Sequence, residues 1–254
     1  MYARELIGKF LFLDIETVSV CGDLKQLNKL NPKMVELWNK RVVFLRERYS
    51  DNMLLSEEEI FQRKGALHSE FGKIICISFS SIKSDNTVST VSITADKAPG
   101  AEKALLEKAM SLIERFMAKA GSGGRIVGHN IKRFDIPVLC KRALINSVEI
   151  PEILHIAKLK PWEQPIIDTC ELWSHGAWQE GFVSLDLLCA VLGVKSPKGE
   201  FTAADVQDAY YRRDDIETIK SYCEGDVMAT LNVLLRMCGH DTVDQDEKPG
   251  VSDI

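Results

Sequence analysis

Residues 10–17 have the sequence FLFLDIET, an apolar run that ends on two carboxylates, Asp14 and Glu16, with one residue between them. The residues from Phe10 to Ile15 are apolar except Asp14 and include no Gly or Pro, which predicts a strand buried on both faces. Alternate side chains of a strand point to the same side, so we expect Asp14 and Glu16 to project together and Ile15 to point the opposite way. Two buried carboxylates repel each other, and a bound cation would remove that repulsion. A strand end that runs into solvent is the alternative explanation of the same pattern.

Composition favours a soluble, non-exported protein with a large core. The chain has 254 residues, of which 45% are hydrophobic, and we expect one domain over residues 1–238 with a helical insertion at 23–69 and a mobile acidic tail at 239–254. It contains neither an apolar stretch of membrane-spanning length nor a signal-peptide pattern, so no membrane partner is expected. The seven cysteines are odd in number and scattered, which favours reduced core residues in a cytoplasmic protein.

The net charge of -5 argues against a protein that coats nucleic acid through bulk electrostatic attraction. It leaves open a cleft that is locally basic, or one whose excess carboxylates are neutralised by metal ions.

Hydrophobic periodicity along the chain predicts a mixed α/β sheet of about five strands flanked by helices. The insertion has helical spacing, and Ser56 with Glu59 forms the capping-box pattern of a helix start. The other predicted elements are a β-hairpin from 73–81 and 87–94, a helix over 101–120, short strands at 125–128 and 166–168, and a last long helix from 214 to about 237.

A second cluster of polar residues follows the strand at 125–128. Residues 128–137 have the sequence GHNIKRFDIP, and Pro137 suits the first turn of a helix, which puts Asp135 at a helix N-terminus. Taken alone, Asp135 is better explained as a helix cap. A third cluster lies in the last helix, where Tyr222 and Asp226 are four residues apart and therefore share a face.

Taken in order, these three clusters resemble the DEDD superfamily of 3'-5' exonucleases in its tyrosine-bearing branch. The closer resemblance is to stand-alone predicted exonucleases related to the proofreading domain of family B DNA polymerases, which share a Ser-Pro-Lys segment, here 196–198, and a Tyr-Cys-Glu-x-Asp-Val helix, here 222–227. The histidine-bearing branch would have His at position 221, where this chain has Ser221. The resemblance implies an RNase H-like fold, with the active site where the first and fourth strands end and the last helix crosses.

The resemblance also implies roles for individual residues. Two divalent cations, Mg²⁺ or Mn²⁺, are expected, with Asp14 contacting both, Glu16 and Asp226 binding the ion that carries the attacking water, and Asp135 holding the second. Tyr222 is expected to orient that water. The expected substrate contacts are Thr17, Asn130, Phe134, Ser184, Leu185 and Lys198.

The expected activity is metal-dependent hydrolysis of single-stranded DNA from the 3' end with release of nucleoside 5'-monophosphates, and DNA is expected to be preferred over RNA. The alternatives are a 3'-5' exoribonuclease of the same superfamily, a non-catalytic nucleic-acid-binding module, and an RNase H-like endonuclease or transposase core. The oligomeric state is left open.

Overall fold

A mixed five-stranded sheet organises the computed structural model, which describes residues 2–177, 182–196 and 201–243. The strands are β1 (Phe10–Ser19), β2 (Gly72–Ile82), β3 (Val88–Thr94), β4 (Arg125–Gly128) and β5 (Ile166–Asp168). Their spatial order is β3-β2-β1-β4-β5, with β1 antiparallel to β2 and parallel to β4. The predicted mixed sheet is therefore confirmed, with β1 at its centre.

Helices cover the sheet and its connections. They are α1 (Arg4–Ile7), α2 (Leu24–Leu30), α3 (Pro32–Arg48), α4 (Glu57–Lys64), α5 (Ala101–Ala120), α6 (Asp135–Ile145), α7 (Thr169–Ser174), α8 (Leu185–Leu192), α9 (Val206–Asp208) and α10 (Ile216–Met237). Within the described residues, none of these helices is both long enough and apolar enough to cross a membrane.

Strand β1 separates two hydrophobic cores because its side chains alternate between the faces of the sheet. Leu11, Leu13 and Ile15 pack in the core that contains α5 and α6 residues, whereas Phe10 and Phe12 pack against α10. Asp14 and Glu16 continue the row of Phe10 and Phe12, which places both carboxylates on the α10 side, as the alternation predicts. The strand continues to Ser19, so both carboxylates lie inside β1 and the explanation by a solvent-exposed strand end is wrong.

The stretch between β1 and β2 is helical, as its periodicity predicts, and has a small core of its own. Trp38 is fully buried and makes edge-to-face contacts with Phe61 and Phe71, whose ring centroids lie 5.2 Å and 5.0 Å away. The predicted capping box is present, with Ser56 and Glu59 bonded reciprocally at the start of α4. These contacts make the stretch a packed structural unit that lies against the start of β2.

Helix α10 begins at Ile216, two residues later than the sequence predicts. Asp214 has a φ of 55°, in the left-handed region, and the Asp215 side chain accepts the N–H of Thr218 as the helix cap. After the helix, Val243 exchanges two hydrogen bonds with Asn232. Residues 244–254 of the expected mobile tail lie outside the described residues.

Candidate active site

One cavity of about 890 Å³ contains all four predicted acidic residues. Asp14 and Glu16 enter it from β1, Asp135 from the first turn of α6, and Asp226 from α10 together with Tyr222. The volume falls within the range of roughly 300–1,000 Å³ that is typical of small-ligand sites. The structure thus brings three separate sequence clusters together at one place.

A β-bulge shapes the strand at this point. The register between β1 and β2 shifts between Glu16 and Thr17, and Glu16 lies opposite Cys76. Bulges increase the local twist and redirect side chains, and they are common beside active sites. The Thr17 hydroxyl, next to the bulge, donates to the main-chain oxygen of Ala66 at 3.1 Å and ties the strand to the end of the insertion.

The carboxylates on β1 are destabilised as anions. Burial raises the pKa of both Asp14 and Glu16 well above ordinary carboxyl values. Nearby negative charge raises each pKa further, from Asp135 and then Asp226 for Asp14, and chiefly from Asp226 for Glu16. The Cys223 thiol, 3.4 Å from Asp14 Oδ2, partly opposes the effect by donating a hydrogen bond.

Asp135 is held at the N-terminus of α6 and is only 5% exposed. Burial raises the pKa of its carboxyl to about 7, although the backbone N–H groups of Asp135 and Ile15 oppose that rise. The position at a helix N-terminus also favours the anion. Asp135 therefore changes its charge near neutral pH in the metal-free protein.

Tyr222 stands one helical turn before Asp226 and is 9% exposed. Burial, and then the charges of Asp226, Glu16 and Asp14, raise the pKa of its hydroxyl above the ordinary value of 10, so it remains a hydrogen-bond donor at neutral pH. Its hydroxyl bonds to Asp226, and its ring contacts Phe201 edge to face at 5.4 Å.

The chemistry of these donors fits a hard divalent cation. Carboxylate oxygens are the ligands that Mg²⁺ and Mn²⁺ prefer, and a bound cation would relieve the repulsion that raises these pKa values. One ligand atom each from Asp14, Glu16 and Cys223 lies within 4.8 Å of the other two. The site can therefore hold a cation at β1, with Asp135 and Asp226 beside it in the same cavity.

The loop after β4 is positioned by a residue that the sequence analysis did not single out. Asp168, at the end of β5 and 3% exposed, accepts the backbone N–H groups of Asn130 (2.9 Å), Lys132 (3.1 Å) and Cys170 (2.9 Å). Asn130 itself has a φ of 57°. The available signal was an acidic residue that directly follows apolar residues in a short predicted strand, as Asp14 follows Leu13.

The structure places some of the predicted substrate contacts in the cavity and others outside it. Thr17, Asn130 and Phe134 line the cavity. Among the described residues, those that line it do not include Ser184 or Leu185: the Ser184 hydroxyl caps α8 by accepting from Leu187, and the Leu185 side chain packs in a small core beneath α10. These two contacts stay predictions that the cavity does not favour, and Lys198 lies outside the described residues.

One wall of the cavity comes from the insertion, and its residues were not predicted individually. The exposed side chains there include Tyr49, which is 48% exposed, and Leu67, which is 52% exposed, together with the cation Arg63. Lys64 lines the same wall and is half-buried. Aromatic and basic side chains of the insertion thus line the same cavity as the four carboxylates.

Comparison with known proteins provides a family match for much of the chain. Residues 65–249 match the model of a family described as a predicted 3'-5' exonuclease related to the exonuclease domain of PolB. That range includes Asp135, Tyr222 and Asp226, whereas Asp14 and Glu16 precede it. No curated protein with a matching sequence was found.

The structure is similar to the family B DNA polymerase of the archaeon Pyrobaculum calidifontis, with a TM-score of 0.55 and 14% identity over 89% of this chain and 24% of the polymerase. It also matches E. coli exonuclease I in complex with a dT13 oligonucleotide, with a TM-score of 0.45 and 14% identity over 89% of this chain and 40% of that one. The chain thus spans about a quarter of the polymerase and two fifths of exonuclease I. The similarity to the polymerase confirms the predicted RNase H-like exonuclease fold.

Proposed function

Because this chain belongs to the family of predicted 3'-5' exonucleases related to the exonuclease domain of PolB, we propose that it is a cation-dependent 3'-5' exonuclease. Its proposed substrate is single-stranded DNA, which it shortens from the 3' end with release of nucleoside 5'-monophosphates.

A single observation carries this proposal: four carboxylates from three separate elements line one cavity beside a tyrosine hydroxyl. A protein that only bound nucleic acid would gain nothing from this arrangement, since clustered negative charge repels phosphate. The same charge becomes useful when cations are bound between the carboxylates and the phosphodiester. The acidic floor therefore favours a nuclease over a non-catalytic binding module.

In the proposed enzyme, Asp14, Glu16, Asp135 and Asp226 would hold two divalent cations, Mg²⁺ or Mn²⁺. When bound, such a pair of ions supplies a hydroxide nucleophile at neutral pH and stabilises negative charge on the leaving oxygen. Oxygen-only ligands and retained water molecules suit these two ions.

The proposed role of Tyr222 follows from its protonation state and its position. The hydroxyl stays protonated because burial and the neighbouring carboxylates raise its pKa, and it lies beside Asp226. In the metal-free protein the hydroxyl donates its one proton to Asp226, which fixes the phenol, and its oxygen can accept a hydrogen bond that orients the attacking water. Phe201 limits the movement of the ring by its edge-to-face contact.

The proposed path of the DNA strand lies between the acidic floor and the insertion. Bases can stack on Phe134, Tyr49 and Phe182, which line the cavity, since stacking on aromatic rings is strong and tolerates any sequence. Arg63 and Lys64 on the same wall are suited to contact phosphates. The overall charge of -5 is compatible with this arrangement because the cations are local.

The direct test is a time course on single strands labelled at the 3' or the 5' end, with DNA and RNA of the same sequence, in Mg²⁺ and in Mn²⁺. We expect immediate release of a labelled mononucleotide from the 3'-labelled DNA, a ladder of shortened products from the 5'-labelled DNA, and no reaction with excess chelator. Faster hydrolysis of RNA than of DNA would identify RNA as the preferred substrate. Cleavage of a closed circular strand would contradict exonuclease activity, because an exonuclease needs a free end.

Asp14→Asn is the matched active-site variant, because it keeps the shape of the side chain and removes its charge. We expect hydrolysis to become undetectable while the circular dichroism spectrum is retained. Asp241→Asn, which changes an exposed aspartate outside the cavity, serves as the control and should keep wild-type activity. Equal turnover by Asp14→Asn and wild type, at matched purity, would refute the proposal.

The substrate path has its own test. Arg63→Gln removes one phosphate contact, so we expect a higher KM for single-stranded DNA and a salt dependence of binding that falls by about 0.7 in log-log slope. Lys29→Gln, an exposed lysine of α2 that does not line the cavity, is the control for net charge. Identical salt slopes for the two variants would place the strand elsewhere.

A further inference from the structure

A buried sulfur atom lies next to the two β1 carboxylates that line the cavity. Asp14, Glu16 and Cys223 each offer one atom within 4.8 Å of the other two, and Cys223 Sγ lies 3.4 Å from Asp14 Oδ2 and 3.5 Å from the Asp14 carbonyl oxygen. Cys223 is fully buried on α10, one residue after Tyr222. The proposed hydrolysis has no use for this thiol.

The sulfur–oxygen separation suits a common cation. Zinc binds thiolate sulfur at about 2.3 Å and carboxylate oxygen at about 2.0–2.2 Å, so two such ligands of a tetrahedral centre are about 3.6 Å apart. In the metal-free protein Cys223 Sγ donates a hydrogen bond to Asp14 Oδ2 at 3.4 Å, so an ion could replace that proton with little movement of either atom. Glu16, on the same face of β1, completes a set of three candidate ligands.

Ligand preference separates two classes of cation at this site. Thiolate ligands select soft or borderline ions such as Zn²⁺ and Cd²⁺, whereas Mg²⁺ and Mn²⁺ take oxygen ligands. We propose that Asp14, Glu16 and Cys223 together bind a thiophilic divalent cation, in competition with the hard ion that supports hydrolysis. On binding, the Cys223 thiol loses its proton to solvent, and the sulfur lone pair forms the bond to the ion.

This inference rests on the proposed function, because the same two carboxylates serve both kinds of ion. Its consequence is regulatory. A thiolate ligand donates more charge to the ion than water does, which weakens the polarisation of a bound phosphate oxygen. Zinc is therefore expected to inhibit hydrolysis supported by Mg²⁺, and the inhibition is expected to require the sulfur of Cys223.

The binding test needs no nucleic acid and no catalysis. The metal-free, reduced, full-length protein is titrated with Cd²⁺, and the ultraviolet charge-transfer absorbance of a sulfur–cadmium bond is recorded. We expect a saturable band at one equivalent in the wild type, its loss in Cys223→Ser, and cadmium affinity lower by about tenfold or more in Asp14→Asn. Circular dichroism checks the fold of each variant, and Cys223→Ala is a second variant of similar size.

Cys76 provides the matched control, since its thiol is also fully buried and bonds to that of Cys223. Cys76→Ser should retain the band. A band that persists in both Cys223 variants, or that disappears in Cys76→Ser alone, would assign the ion to another thiol and overturn the inference. Absence of any cadmium band in the wild type would overturn it as well.

Kinetics then test the regulatory consequence. Zn²⁺ added to the reaction in Mg²⁺ should inhibit the wild type at lower concentration than Cys223→Ser, by about tenfold or more. Equal sensitivity of the two proteins would contradict a role for the sulfur in inhibition. If the wild type hydrolyses no nucleic acid, the proposed function fails, whereas the cadmium titration still decides whether the site exists.

Discussion

Replacing Asp135 by Asn is expected to make the metal-free protein more stable, although it removes a residue of the proposed active site. Burial raises the pKa of this carboxyl from 3.8 to about 7. A pKa difference of one corresponds to about 1.4 kcal/mol, so the ionised group opposes folding by about 4 kcal/mol. The pKa of about 7 already includes the opposing backbone hydrogen bonds to the anion, so Asn, which is neutral like the protonated acid, removes most of this cost. The expected net gain is about 2–4 kcal/mol.

The sign of the pH dependence follows from the raised pKa. At pH below about 3.8 the carboxyl is protonated in the folded and the unfolded chain and costs nothing. As the pH rises from about 4 to about 7, only the unfolded chain releases the proton freely, so the folded state loses stability relative to it. The advantage of Asp135→Asn over wild type should therefore be small at pH 4.5 and fully developed at pH 8.

The assay is thermal denaturation in excess chelator at both pH values, followed by the same melts in Mn²⁺. At pH 8 in chelator, the melting temperature should rise by about 2–4 °C for each kcal/mol. Mn²⁺ at about one hundred times its Kd should stabilise the wild type by about 2.7 kcal/mol and the variant by less. Asp241→Asn should match the wild type throughout. A variant that is less stable than wild type at pH 8 in chelator would refute the reasoning.

Three further predictions concern the frame around the site. Glu102→Ala should destabilise the protein by about 3–5 kcal/mol in urea denaturation, because it leaves the buried guanidinium of Arg142 without its counter-charge. Arg142 Nε donates to Glu102 Oε1 at 2.8 Å. An effect below about 1 kcal/mol would contradict this prediction. Gly128→Ala should lower the free energy of unfolding by about 1–3 kcal/mol in thermal melts, since a Cβ there would lie 2.7 Å from the Cβ of Ile131. No change in stability would mean that the loop after β4 shifts freely. Trp38→Ala should destabilise the insertion by about 3–5 kcal/mol, because Trp38 is fully buried there. Hydrogen exchange should therefore accelerate more in α3 than in α10. Equal acceleration in both helices would show that the insertion does not unfold separately.

The fold and the family could be predicted because their signals are local and repeated. The side-chain alternation of residues 10–16 identified a buried strand and the shared direction of Asp14 and Glu16. Helical spacing identified α5 and most of α10, and the capping box identified the start of α4. The family expected from the three clusters is confirmed, whereas the roles of individual residues and the tyrosine branch stay predictions.

Other features depend on contacts between elements that are far apart in sequence. Helix α10 begins two residues later than predicted because the left-handed backbone at Asp214 ends the preceding helical turn. Ser184 and Leu185 were expected at the substrate, but α8 packs against α10 and uses the Ser184 hydroxyl as its cap. Asp168 holds the loop that carries Asn130, although the two residues are 38 positions apart in sequence. No periodicity in a single segment encodes these distances.

The sequence by itself determined which residues form strands and helices and which acidic side chains share a face, because backbone geometry repeats every two or 3.6 residues. Only the tertiary structure decided that the rotation of α10 against β1 and β2 brings the Cys223 sulfur to Asp14, and that the insertion lines the same cavity as the four carboxylates. The physical reason is that helix rotation and loop path are set by how side chains pack between layers, and that packing depends on residues from the whole chain at once.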